Sequence, residues 1–75
     1  MDEQLSAAQE AVVAKLEKLG FRVNSVTPFE GEPNPTVFMS KRVRSFGTRY
    51  AEVGPDATVN GVDVDKYILD YKASL

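Results

Sequence analysis

The sequence predicts an α+β fold: a single small domain spanning residues 1–75, with the order α-β-β-β-α. In it a three-stranded antiparallel sheet carries two helices packed on one face. Three observations lead there. Leu5, Ala8, Val12, Leu16 and Leu19 recur at helical spacing and stop at a glycine, Gly20. Residues 21–53 then hold three runs rich in Val, Phe, Thr and Tyr, parted by prolines and glycines. From Val64 the helical period returns through Ile68, Tyr71 and Leu75.

The first helix is expected from about Asp2 or Glu3 to Leu19, with Asp2 capping its first turn. Ser6 and Gln9 also match a capping box, which would start the helix later. Gly20 ends it, because glycine takes the left-handed conformation after the C-cap at little steric cost. Phe21 is then free to fold back on Leu16.

The run FRVNSVT, residues 21–27, reads as the first strand and ends before Pro28. PFEGEPNP, residues 28–35, holds three prolines, so it is a stiff loop rather than part of a ladder. TVFMSKRV, residues 36–43, carries apolar groups on both faces, Val37 and Met39 on one and Phe38 on the other, as a central strand does. Ser45, Phe46 and Gly47 mark a turn. TRYAEV, residues 48–53, returns with Arg49, Ala51 and Val53 on one face and Thr48, Tyr50 and Glu52 on the other. GPDATVNG, residues 54–61, is turn chemistry, with Pro55-Asp56 in one turn and Asn60-Gly61 in a second. Val62 to Asp65 alternates like a strand, yet Asp63 suits a cap, so the last helix is placed from about Val64 to Ala73.

Composition narrows the function. The chain has no cysteine and no histidine. Disulfides, thiolate chemistry and imidazole bases are therefore unavailable, and no nucleophile-elbow or P-loop pattern stands in for them. A non-catalytic protein without a cofactor or a metal is expected, and no small-molecule substrate is evident. Cysteine-free composition fits a reducing compartment. The acidic, polar start lacks a signal-peptide pattern. No apolar run approaches the roughly 20 residues of a membrane span. The expected place is the cytoplasm.

DATVNGVDVDKY, residues 56–67, approaches a calcium-binding loop at Asp56, Thr58, Asn60 and Gly61. Its twelfth position is Tyr67 where a bidentate carboxylate is required, so it reads as a turn rich in Asp, Asn and Gly.

The net charge of −2 conceals a segregation. SKRVRSFGTRY, residues 40–50, holds Lys41, Arg42, Arg44 and Arg49 and no acid, while the segments on either side are acidic. Phe46 and Tyr50 lie among these cations and are candidates for stacking on bases. The stiff loop offers a second candidate site, Phe29, Pro33 and Pro35, pre-organised for a protein partner. Tyr67 and Tyr71, one turn apart, read as core-edge residues with buried rings and wet hydroxyls.

The element order resembles the double-stranded RNA-binding domain over most of the chain. That family reads an RNA duplex with the loop between its first two strands and a lysine cluster opening its last helix. Here the loop carries Glu30 and Glu32, and the last helix opens with Asp63, Asp65 and only Lys66. The resemblance thus implies the fold and not the duplex-binding chemistry. The first expectation is a small non-catalytic protein-interaction module, meeting another protein or a copy of itself, of a kind that suits a bacterial or phage accessory protein. The alternative is a nucleic-acid binder using the basic hairpin 40–50.

Overall fold

A computed structural model of the chain describes residues 5–44 and 47–74. The order is α1 (Ala7–Lys18), β1 (Arg22–Thr27), β2 (Thr36–Val43), β3 (Gly47–Val53) and α2 (Val64–Ala73). This is the expected helix, three antiparallel strands and helix. The sheet order is β1-β2-β3, so β2 is central and β1 and β3 are the edges.

Helix α1 starts at Ala7, later than Asp2 or Glu3. Leu5 and Ser6 are not helical, and the expected cap at Asp2 lies outside the described residues. The capping box sets the start. The Gln9 N–H donates to Ser6 Oγ and the Ser6 N–H donates to Gln9 Oε1, both at 3.0 Å. The buried arc also turns relative to the expected stripe. Ala8 is exposed, whereas Gln9, Val12, Val13 and Leu16 are buried.

Gln9 is fully buried because it has further partners. Its Nε2 donates to the carbonyls of Pro35 (2.7 Å) and Gly54 (2.9 Å). One side chain thus joins the start of α1 to the entrance of β2 and the exit of β3. A buried amide with satisfied donors costs little, while its loss would strand two carbonyls.

The C-terminus of α1 closes as the sequence implies. Gly20 has φ +105° and Leu19 is the C-cap. The Gly20 N–H donates to the Glu17 carbonyl (2.9 Å) and the Phe21 N–H to the Leu16 carbonyl (3.1 Å). This is the paired bonding of a Schellman motif. It turns Phe21 back into the core, where it and Leu16 are both buried.

Alternation along the strands places the core. Val37 and Met39 on β2 and Ala51 and Val53 on β3 share one face, and all four are buried. They cluster with Val12, Val13 and Leu16 of α1 and with Val64 and Tyr71 of α2, so both helices cover that inner face. Neither described helix covers the opposite, outer face.

Between β3 and α2 the chain makes two turns. The Ala57 N–H donates to the Gly54 carbonyl (2.9 Å), closing the turn through Pro55-Asp56. Val59 and Val62 then exchange two hydrogen bonds (2.7 and 2.9 Å) across Asn60 and Gly61. Both of these residues have positive φ, 52° and 86°, as a two-residue hairpin turn requires. Asp63 caps α2 by accepting from the Asp65 N–H (3.0 Å). Val62 belongs to the small hairpin and Val64 to the helix, which settles the ambiguity of residues 62–65. Leu75 lies outside the described residues.

Candidate functional site

Pairing between β2 and β3 divides the basic run. Lys41 faces Arg49, Arg42 faces Thr48, and Ser40 faces Tyr50. Side chains alternate across a strand, so Lys41 and Arg49 fall on the inner face with Met39 and Ala51. There both cations lie over the ring of Tyr71, Lys41 Nζ at 5.3 Å and Arg49 Cζ at 5.2 Å from its centroid. Lys41 Nζ also donates to the Leu19 carbonyl, neutralising the negative end of α1. These two cations pin the hairpin to α2 and to the end of α1. They are not presented together with Arg42 and Arg44.

Tyr71 is the hub of this contact. Its ring meets Phe21 edge-on at 5.7 Å, and Tyr67 meets Phe21 the same way at 6.3 Å. The expectation of a wet hydroxyl is corrected for Tyr71, whose hydroxyl is buried and has no hydrogen-bond partner among the described residues. The Tyr67 hydroxyl donates to the Tyr50 carbonyl (3.4 Å). Burial raises the Tyr67 pKa, and the Arg49 charge opposes that rise. The Tyr71 ring is buried in the core, and the Tyr67 ring packs against it, partly buried.

Arg42 and Arg44 are exposed and pair with no carboxylate among the described residues. Arg42 lies on the outer face. Pairing adds a cation that sequence reasoning passed over. Arg22 of β1 faces Ser40, which in turn faces Tyr50, so Arg22, Ser40 and Tyr50 form one row across the outer face. Asn24 Nδ2 donates to Ser40 Oγ (2.9 Å) in that row. The next row is Ser25, Phe38 and Glu52. Tyr50 is 69% exposed and Phe38 half-buried. Counting alternate residues on all three strands, rather than only along the charged run, would have found Arg22 and Phe38. Phe46 lies outside the described residues.

The two edges of the sheet differ. Beside β3, the Asn60 N–H donates to the Glu52 carbonyl and the Glu52 N–H to Asn60 Oδ1, both at 2.9 Å. The Gly54 N–H donates to the Thr58 carbonyl (2.9 Å), and Val59 bridges to Val53. The small hairpin thereby covers much of that edge. β1 has nothing comparable. Among the described residues no backbone hydrogen bond reaches it except from β2. Its register shifts between Val23 and Ser25, and Val23 is 41% exposed.

The loop after β1 is anchored at one end and open at the other. Pro35 is buried and its carbonyl accepts from Gln9, which anchors that end of the loop. Pro33 is exposed, and Phe29 is 49% exposed.

In the calcium-like segment, the Asp56 carboxylate accepts from the Thr58 hydroxyl (2.7 Å) and N–H (3.2 Å). The hydroxyl bond above all holds its pKa below the usual carboxylate value. Among the described residues no three carboxylates gather to hold a metal. At the opening of α2, Asp65 pairs with Lys15 and Lys66 with Asp70, each at 3.1 Å. No described helix is long and apolar enough to cross a membrane.

Compared with known proteins, the chain matches no family model, no curated protein and no solved structure.

Proposed function

We propose that this protein is a small non-catalytic interaction module, acting in the cytoplasm, that takes a strand of a protein partner on the open edge of β1. The partner is another protein or a second copy of the chain. The observation that carries this reading is the contrast between the edges: much of the β3 edge is covered by the Asn60 hairpin, while the outer edge of β1 has no backbone partner among the described residues. An unpaired strand offers a row of N–H and C=O groups that a partner strand satisfies. Val23 adds exposed apolar surface on β1, and Phe29 adds a half-exposed ring just past its end. The stiff proline loop holds Phe29 at little entropic cost to binding.

Photo-crosslinking amino acids placed singly at Val23, Phe29 and Leu69 test this. Leu69 on α2 is 70% exposed and serves as the control. The expected result is a discrete adduct of one mass from Val23 and Phe29 and none from Leu69. An adduct of twice the chain mass identifies the partner as a second copy. Equal adducts from all three positions, or none from Val23 and Phe29, overturn the reading.

A further inference from the structure

The outer face of the sheet is a second surface, independent of the β1 edge. We infer that it binds single-stranded nucleic acid, with Tyr50 and Phe38 stacking on bases and Arg22 and Arg42 meeting phosphates, Arg44 adding charge at the hairpin end. Residues on adjacent strands in successive rows lie diagonally, roughly 7–8 Å apart. Phe38 and Tyr50 stand in that relation. Two aromatic rings on an uncovered sheet give neighbouring unpaired bases a stacking platform.

Charge placement agrees. Arg22, Arg42 and Arg44 are exposed without a carboxylate partner among the described residues, in a chain whose net charge is −2. The acids lie mainly elsewhere, on α1, in the proline loop, in the 54–63 turns and on α2. The outer face is therefore a local cationic surface on an acidic molecule, complementary to phosphate. Asn24 and Ser40 lie between the arginines and the rings, with polar groups able to meet base edges. Glu52 is the one acid in the outer-face rows described, beside Phe38, and it marks the end where the phosphate path leaves the sheet.

This site differs from the basic hairpin read along the chain. Lys41 and Arg49 drop out, because they face Tyr71. Arg22 and Phe38 enter.

Fluorescence anisotropy of the full chain with end-labelled octamers of uridine and of deoxythymidine tests the inference, at low and physiological salt. Binding to either octamer is expected, weakening with salt at a log–log slope of about −2 for three phosphate contacts on a single strand. The two octamers tell RNA from DNA. Tyr50→Ala should weaken binding by about fivefold to over a hundredfold, the range for losing one stacked base. Tyr50→Phe should retain binding, and Glu52→Gln should tighten it. Tyr50 is exposed, and an unchanged melting curve for each variant separates lost binding from lost folding. Three results overturn the inference. They are no binding to either octamer at low salt, equal affinity for a duplex of the same length, and amide shifts on the outer face with poly-glutamate but with neither octamer. The last result assigns the face to an acidic protein. None of these results bears on crosslinking at Val23 and Phe29, so this site and the strand-binding edge stand or fall separately.

Discussion

The two faces of the sheet carry the same kinds of residue and use them differently. Inside, Lys41 and Arg49 lie over Tyr71, and Met39 and Ala51 pack beneath the helices. Outside, Arg42 and Tyr50 come from the same two strands and stand exposed. A run of cations is thus no unit of function in a strand. The two-residue period sends alternate members to opposite faces, where one half ties elements together and the other half remains available.

The sharpest way to break this comparison is to truncate neighbours in one strand. Met39 is buried to 1% exposure and Phe38, next to it, is half-buried on the outer face. Met39→Ala should cost roughly 2–5 kcal/mol, the range for emptying a packed core site. Phe38→Ala should cost clearly less despite removing a larger side chain. Urea denaturation of both variants measures the difference. Equal losses would mean that the outer face is packed like the inner one.

A second test strikes where the inner cations meet α1. A Cβ at Gly20 would stand 3.0 Å from Lys41 Cε, and the φ of +105° is one that side chains resist. Gly20→Val should therefore cost roughly 1–3 kcal/mol in backbone strain. It should also displace the Lys41 ammonium from the Leu19 carbonyl. Denaturation reads the first effect, and the side-chain nitrogen resonance of Lys41 reads the second. A variant as stable as the parent would sink this account of the helix end.

Much of this architecture was legible in the sequence, and the failures have physical causes. The end of α1 was readable because a glycine after a periodic apolar run permits few other roles. Strand β2 was readable because Val37 and Met39 alternate with Phe38. The start of α1 was set too early because acidic residues before a helix look like first-turn residues, whereas the capping box fixes Ala7 as first. Gln9 was not seen as core, because its burial depends on carbonyls 26 and 45 residues away. The covered edge of β3 was missed for the same reason. Asn60 was legible as a turn residue, but its bonds to Glu52 arise only when the turn folds back along the strand. On the outer face, Tyr50, Arg42 and Arg44 stand out already in local composition, and the structure leaves all three exposed. Arg22 and Phe38 needed the register of three strands.

A smaller effect comes from pH. Burial raises the Tyr67 pKa above its ordinary value of 10.0, so the folded state favours the neutral phenol. In the unfolded chain the phenol ionises first. Between the two pKa values the unfolded state binds fewer protons, and stability falls as pH rises. Stability from this group is fully present below about pH 10 and is lost above it. Tyr67→Phe should flatten that decline in melts taken from pH 8 to 11. An unchanged slope would place the titrating group elsewhere.

The smallest expected effect is on the outer face, and it separates the two faces most cleanly. Tyr50 and Arg42 are exposed, and neither side chain makes a protein hydrogen bond or ion pair among the described residues. Tyr50 contributes to the fold through its carbonyl, which accepts from Asn60 and Tyr67, and any residue at position 50 supplies that carbonyl. Substitutions at such surface positions usually change stability by no more than about 0.5 kcal/mol. Tyr50→Ala and Arg42→Ala should therefore melt with the parent. A loss of roughly 2 kcal/mol in either would instead mean that the outer face is structural, since only packed or desolvated groups cost that much to remove. Unchanged stability would show that neither side chain holds the fold, and any loss of binding in these variants would then be read as loss of a contact rather than of structure.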